Sequence, residues 1–135
     1  METRELTSLG KDHGGALMIE NKQLGSQPLA ITQDWLKALN VALYNSENVS
    51  LSDLFLTDGE WRDLVALSGK IETHYGNDNL ASRFLIASQR VDAKNFIVDS
   101  DRTAPSKQSR GGRQVIEAII RFETKLGPGE GVIRL

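Results

Sequence analysis

The stretch from Gln114 to Thr124, QVIEAIIRFET, constrains the fold of this chain more than any other. Side chains on a β-strand alternate between two faces. One face here reads Ile116, Ala118, Ile120, Phe122 and Thr124, which is almost wholly apolar. The other reads Val115, Glu117, Ile119, Arg121 and Glu123, which is mixed. Such a strand belongs to a sheet covered on one side only. Lys125-Leu126-Gly127-Pro128-Gly129 reads as a hairpin turn, and Glu130–Leu135 as the returning strand. Six returning residues are too few to match an eleven-residue partner. Part of its edge is therefore expected to need another cover.

The remaining elements follow from local pattern. Residues 1–30 are polar and dotted with glycine, and they read as an N-terminal arm ahead of a domain over 31–135. The one apolar clump in the arm is Ala16-Leu17-Met18-Ile19. A helix is predicted from Thr32, which would cap it, with Trp35, Leu36, Leu39, Ala42 and Leu43 as its apolar stripe. Ser52 would cap a short helix carrying Leu54 and Phe55. Strands are predicted over Glu60–Leu67 and Lys70–Tyr75, with Ile71, Thr73 and Tyr75 sharing a face and His74 on the outer one. A helix with Leu80, Ala81, Phe84, Leu85 and Ala87 as its stripe comes next, then a strand around Phe96–Ser100. Residues 101–113, DRTAPSKQSRGGR, read as a loop. Helices early and strands late point to an α+β fold with helices on one face of a largely antiparallel sheet.

Composition narrows the function. The chain has 135 residues, enough for one domain with its own core. Lys and Arg total 16 and Asp and Glu total 18, a net charge of −2. That balance recommends neither nucleic acid nor an anionic membrane as a partner. There is no cysteine, and the histidines are His13 and His74, so thiol chemistry and histidine-rich metal centres are excluded. No apolar run approaches the roughly 20 residues that span a bilayer. With no secretory signal pattern at its start, the chain reads as cytoplasmic.

The best chemical lead is Asp63. Strict alternation puts it in the row Trp61, Asp63, Val65, Leu67, one carboxylate among apolar side chains. A carboxylate in such a row is either paired or functionally placed.

WLKALNVAL (35–43), DLFLTDGEWRDLVAL (53–67), THYG (73–76) and IRFETKLGPGEGVIRL (120–135) occur in that order. The arrangement resembles the nuclear transport factor two superfamily of cone-shaped α+β domains, which includes ketosteroid isomerase, scytalone dehydratase and the SnoaL-like cyclases. It is most similar to the small N-terminal domain of some flavin-containing monooxygenase-like proteins. The resemblance implies a cone-like curved sheet with helices on its concave face. It also implies a cofactor-independent isomerase, cyclase or dehydratase acting on a small hydrophobic molecule. Asp63 stands where the isomerases carry their catalytic acid, after Leu54-Phe55 and Asp58. Trp35, Trp61, Tyr75 and Phe122 would line the pocket. Where the isomerases carry a Tyr on the first helix, this chain has Trp35, which donates one hydrogen bond but is no acid.

There are departures too. No G-x-G-x-x-G fingerprint occurs, so no flavin or nicotinamide cofactor is expected. The histidine–aspartate pair of the dehydratase has only His74 to draw on. The family's usual continuation beyond GVIRL is absent. A non-catalytic ligand-binding or assembly domain is the alternative reading. A roomy cavity with an unpaired Asp63 would favour the enzyme, and a filled interior the alternative. A homodimer through the face of Val115, Glu117, Ile119 and Arg121 is expected, since an exposed sheet face offers an isologous surface.

Overall fold

The computed structural model describes residues 3–7 and 27–135. Its elements are β1 (Thr3–Thr7), α1 (Gln27–Tyr44), α2 (Asn48–Ser52), β2 (Glu60–Leu64), β3 (Ile71–Tyr75), α3 (Asn77–Val91), β4 (Lys94–Val98), β5 (Ser106–Arg110), β6 (Arg113–Thr124) and β7 (Gly127–Arg134). The fold is α+β. Seven strands form one open sheet in the order β3-β2-β1-β7-β6-β4, with β5 also pairing β6. All pairings are antiparallel except β1 with β7.

The β6–β7 hairpin is the centre of the sheet. Its turn is tighter than the sequence suggests, because Thr124 already pairs Gly127. The Thr124 hydroxyl closes it by donating to the Gly127 carbonyl at 2.7 Å and accepting from the Leu126 N–H at 3.1 Å. Pro128 is thus a strand residue, not a turn residue. It pairs Glu123 at a position β1 does not reach, since β1 meets β7 only from Glu130. A proline there costs no ladder bond on that side. Leu135 then exchanges both backbone bonds with Ile116, at 2.7 and 2.9 Å. The return strand therefore covers β6 from Ile116 to Thr124, and the expected gap along that edge shrinks to the residues before Ile116.

Other boundaries also move. The first helix starts at Gln27, not Thr32. Pro28 suits its first turn, where an N–H has no helical partner. Thr32 is interior, and its hydroxyl donates to the Pro28 carbonyl four residues back at 2.7 Å. Residues 106–110, part of the expected loop, form β5 on β6. This polar strand has little burial to signal it, so ladder bonding rather than side-chain packing makes it. In the expected N-terminal arm, Thr3–Thr7 is a strand between β2 and β7. The clump Ala16–Ile19 lies outside the described residues.

The core lies between the helices and the sheet face bearing Ile116, Ala118, Ile120 and Phe122. The α1 stripe Trp35, Leu36, Leu39 and Ala42 is buried there, as is the α3 stripe Leu80, Ala81, Phe84 and Ala87. No described helix is long and apolar enough to cross a membrane.

Candidate functional site

Asp63 is fully buried on β2. The strand ends one residue later, because Val65 turns to φ 80°, a left-handed conformation that a β-branched residue seldom adopts. The row predicted from alternation breaks there: Val65 is exposed, and Leu67 returns to the core through a turn rather than a strand. That turn closes on itself through Val65 N–H to Lys70 C=O at 3.0 Å and Gly69 N–H to Val65 C=O at 2.9 Å. The Asp63 carboxylate sits beneath it. It accepts the Leu67 N–H at 3.2 and 3.3 Å and the Ser68 N–H at 2.5 Å. From above, the Arg90 guanidinium at the end of α3 donates to the Ser68 carbonyl and, at 3.4 Å, to that of Leu67. One side chain holds the turn's donors and another its acceptors. This is how a strained backbone is over-determined by its surroundings.

A chain of aromatic rings runs through the core. Trp35 meets Phe55 edge-on at 5.7 Å, Phe55 meets Phe84 at 6.4 Å, and Phe84 meets Trp61 at 5.1 Å and Phe96 at 6.0 Å. Phe96 stacks on Phe122 at 4.7 Å. The Trp35 indole N–H donates to the Leu54 carbonyl at 3.0 Å, which fixes the ring between α1 and the segment after α2. Asp63, Trp35, Trp61 and Phe122 are thus all interior.

Tyr75 does not join them. It is 66% exposed on the opposite face of the sheet. The reason is register: Trp61 faces His74 across β2–β3, and Asp63 faces Glu72. Residues directly opposite share a face, so His74 and Glu72 go inward and Ile71, Thr73 and Tyr75 outward. His74 accordingly packs on Trp61 at 5.4 Å, with Nε2 3.1 Å from Glu72 Oε1.

Among the described residues, open clefts lie away from Asp63. One cleft of about 690 Å3 opens where α1 and α3 end, beside Tyr44, Val41, Leu43, Ser88, Ala93 and Lys94. Asp92 ends α3 there in the left-handed conformation, with its N–H bonded to Gln89 C=O and the next N–H to Ser88 C=O. Tyr44 is 90% exposed. The Ser88 side chain is only 3% exposed, and its hydroxyl has no hydrogen-bond partner among the described residues. A second cleft of similar size runs along α1 and β4 from Gln33 to Val98. Asp63 lines neither.

Between the clefts, Asn40 bonds the β4 backbone twice. Its amide donates to the Phe96 carbonyl and accepts the Phe96 N–H, both at 2.9 Å. Asn40 and Ser88 are what a reading by hydropathy passes over. Asn40 is the one position between Leu39 and Val41 where a polar residue interrupts the α1 apolar run, and that was the available signal.

On the outer face, Glu117 takes a bidentate bond from Arg110, at 3.0 and 3.0 Å, and a third from Arg134 at 2.7 Å. The Glu117 carboxylate raises the pKa of Arg110, first by hydrogen bonding and then by its charge, while burial lowers that of Arg134. Both remain cations at any physiological pH. Among the described residues no group of acidic and histidine side chains could hold a metal ion. Compared with known protein families and with curated proteins, the chain matches no family model and no curated sequence.

Proposed function

We propose that this domain works by binding rather than by catalysis, as a small-molecule-binding module on the cone-like plan of the nuclear transport factor two superfamily. The observation that carries this reading is the state of Asp63. Its carboxylate is occupied by the Leu67 and Ser68 amides in the buried interior. A general acid or base must come within hydrogen-bond reach of the proton it moves. Asp63 spends that reach on its own backbone.

The binding site is the cleft at the ends of α1 and α3. Pockets for small molecules are mostly apolar with a few placed polar groups. Tyr44, Val41 and Ala93 supply the apolar wall. The Ser88 hydroxyl lies buried beneath that wall, with no hydrogen-bond partner among the described residues. The ligand is a small hydrophobic molecule bearing one hydrogen-bonding group, taken up in the cytoplasm without a cofactor.

A fluorescent apolar probe, anilinonaphthalene sulfonate, tests this. It should bind the folded protein with saturable one-to-one stoichiometry. Ala93→Trp, which fills the cleft, should abolish binding, and Asp63→Asn should leave it unchanged in folded protein. Binding that survives Ala93→Trp and disappears with Asp63→Asn would place the site in the interior and restore the catalytic reading.

A further inference from the structure

The two ends of the sheet are treated differently. At one end, β4 is blocked. Asn40 takes both the N–H and the C=O of Phe96, occupying the groups an incoming strand would need. The pairing of β4 with β6 also shifts register between Lys94 and Ile97, and Asn95 there has φ 57°. Covering and bulging are ways by which proteins stop sheets from pairing edge to edge.

At the other end, β3 carries no such device among the described residues. It pairs β2 in unbroken register from Ile71 to Tyr75, with no proline and no bulge. The bonds Val65 N–H to Lys70 C=O and Gly76 N–H to Gly59 C=O fix which residues turn inward. In an antiparallel ladder these alternate, so the even residues of β3 bond β2. Ile71, Thr73 and Tyr75 therefore aim their backbone groups away from the sheet. Their side chains lie on the outer face, where Ile71 is 70% and Tyr75 66% exposed. Among the described residues, the one group set against this edge is the exposed Asn79 amide, 3.4 Å from the Tyr75 carbonyl.

We propose that this edge is the interface with a second copy of this chain, two β3 strands pairing antiparallel about a two-fold axis through Thr73. The sequence of β3 is self-complementary in that register. Ile71 falls opposite the other copy's Tyr75, Thr73 opposite its own counterpart, and Glu72 opposite the other copy's His74. Aromatic with β-branched, Thr with Thr, and acidic with basic are the cross-strand pairs that stabilise sheets. The three outward-facing residues are also the ones that would exchange backbone bonds. Shifting the register by two residues sets Glu72 or His74 against its own counterpart and removes the Ile71–Tyr75 and Thr73–Thr73 pairs, so the charges favour this two-fold over its neighbours. The pairing makes one continuous sheet of fourteen strands from two seven-stranded ones. The outer face around Glu117 is a poorer candidate, since its carboxylate is already engaged by Arg110 and Arg134.

The chain has no cysteine, so single cysteines report contacts cleanly. In wild-type protein, sedimentation at several concentrations should show a monomer–dimer equilibrium. Thr73→Lys sets two ammonium groups against each other on the axis. It should raise the dimer dissociation constant at least tenfold while leaving the circular dichroism spectrum unchanged. Thr73→Cys should oxidise to a covalent dimer, since opposed strand residues lie within disulfide reach. Ile119→Cys, on the outer face, should not. A monomer at every concentration, a Thr73→Lys dimer as tight as wild type, or cross-linking through Ile119→Cys in place of Thr73→Cys would each overturn the proposal.

Discussion

Gly129 stands directly opposite Phe122 across the β6–β7 ladder, and the Phe122 ring fills the space where a Cβ on Gly129 would be. The ring lies flat over the partner strand and against Phe96, which only a residue without a side chain permits. Gly129→Ala should therefore destabilise by about 1–3 kcal/mol through overpacking. Phe122→Ala should cost about 3–5 kcal/mol through the cavity it leaves. The two share one cause, so the double variant should cost less than their sum. Urea unfolding of the three variants measures this, and strict additivity would show that ring and glycine are not coupled.

Asp63 is a structural anchor, and its removal should be felt in stability. Asp63→Ala leaves the Leu67 and Ser68 amides without their buried acceptor, at a cost of about 3 kcal/mol. Hydrogen exchange should show the loss concentrated at those two amides. An exchange pattern unchanged there would mean the turn holds without its carboxylate.

Val65 is the strained member of the same turn. Replacing it by glycine relieves the left-handed strain but adds freedom to the unfolded chain. With Val65 39% exposed, little packing is lost. Val65→Gly should raise stability by about 1 kcal/mol, read as a higher midpoint of thermal unfolding. A lower midpoint would show that the Val65 side chain matters more than its backbone.

Asn40 guards the β4 edge. Asn40→Leu keeps the helix and removes two hydrogen bonds, costing about 2 kcal/mol. It also opens Phe96 to strand addition. The variant should aggregate at concentrations where wild type stays clear, as seen by turbidity at equal fraction folded.

Glu123 is exposed, and its carboxylate accepts a bond from Asn95. Glu123→Ala should be nearly silent in chemical denaturation, against the large effect of Phe122→Ala one residue away. A reversed pair of results would mean that β6 is flipped by one register.

Long periodic elements were legible before any coordinates. The β6 alternation and most of the α1 and α3 stripes bury the residues their spacing nominates, with Leu43 and Leu85 only half-buried, because hydrophobic periodicity is itself the packing instruction. Features depending on partners far along the chain were not legible. The faces of β3 follow from its register against β2, and that register is set by the turn Asp63 holds, so Tyr75 could not be placed without knowing the turn. Polar β5 has no apolar rhythm to read. Asp63 drew notice as a charge in an apolar row, but the row did not show that its partners were backbone amides four and five residues on.

The position of β1 bears on how the chain reaches this state. Residues 3–7 bond to residues 130–134 on one side and to residues 60–62 on the other. Without those five residues the sheet is two separate pieces, a β2–β3 hairpin and the block around β6. Each piece is stitched mainly by local pairings and can form early. Their union requires loops that span much of the chain to close, and non-local pairing of that kind is slow. Joining the halves through β1 should then be the late event in folding. A molecule caught before it would expose the flanks of β2 and β7 together, two open strands awaiting the same short partner.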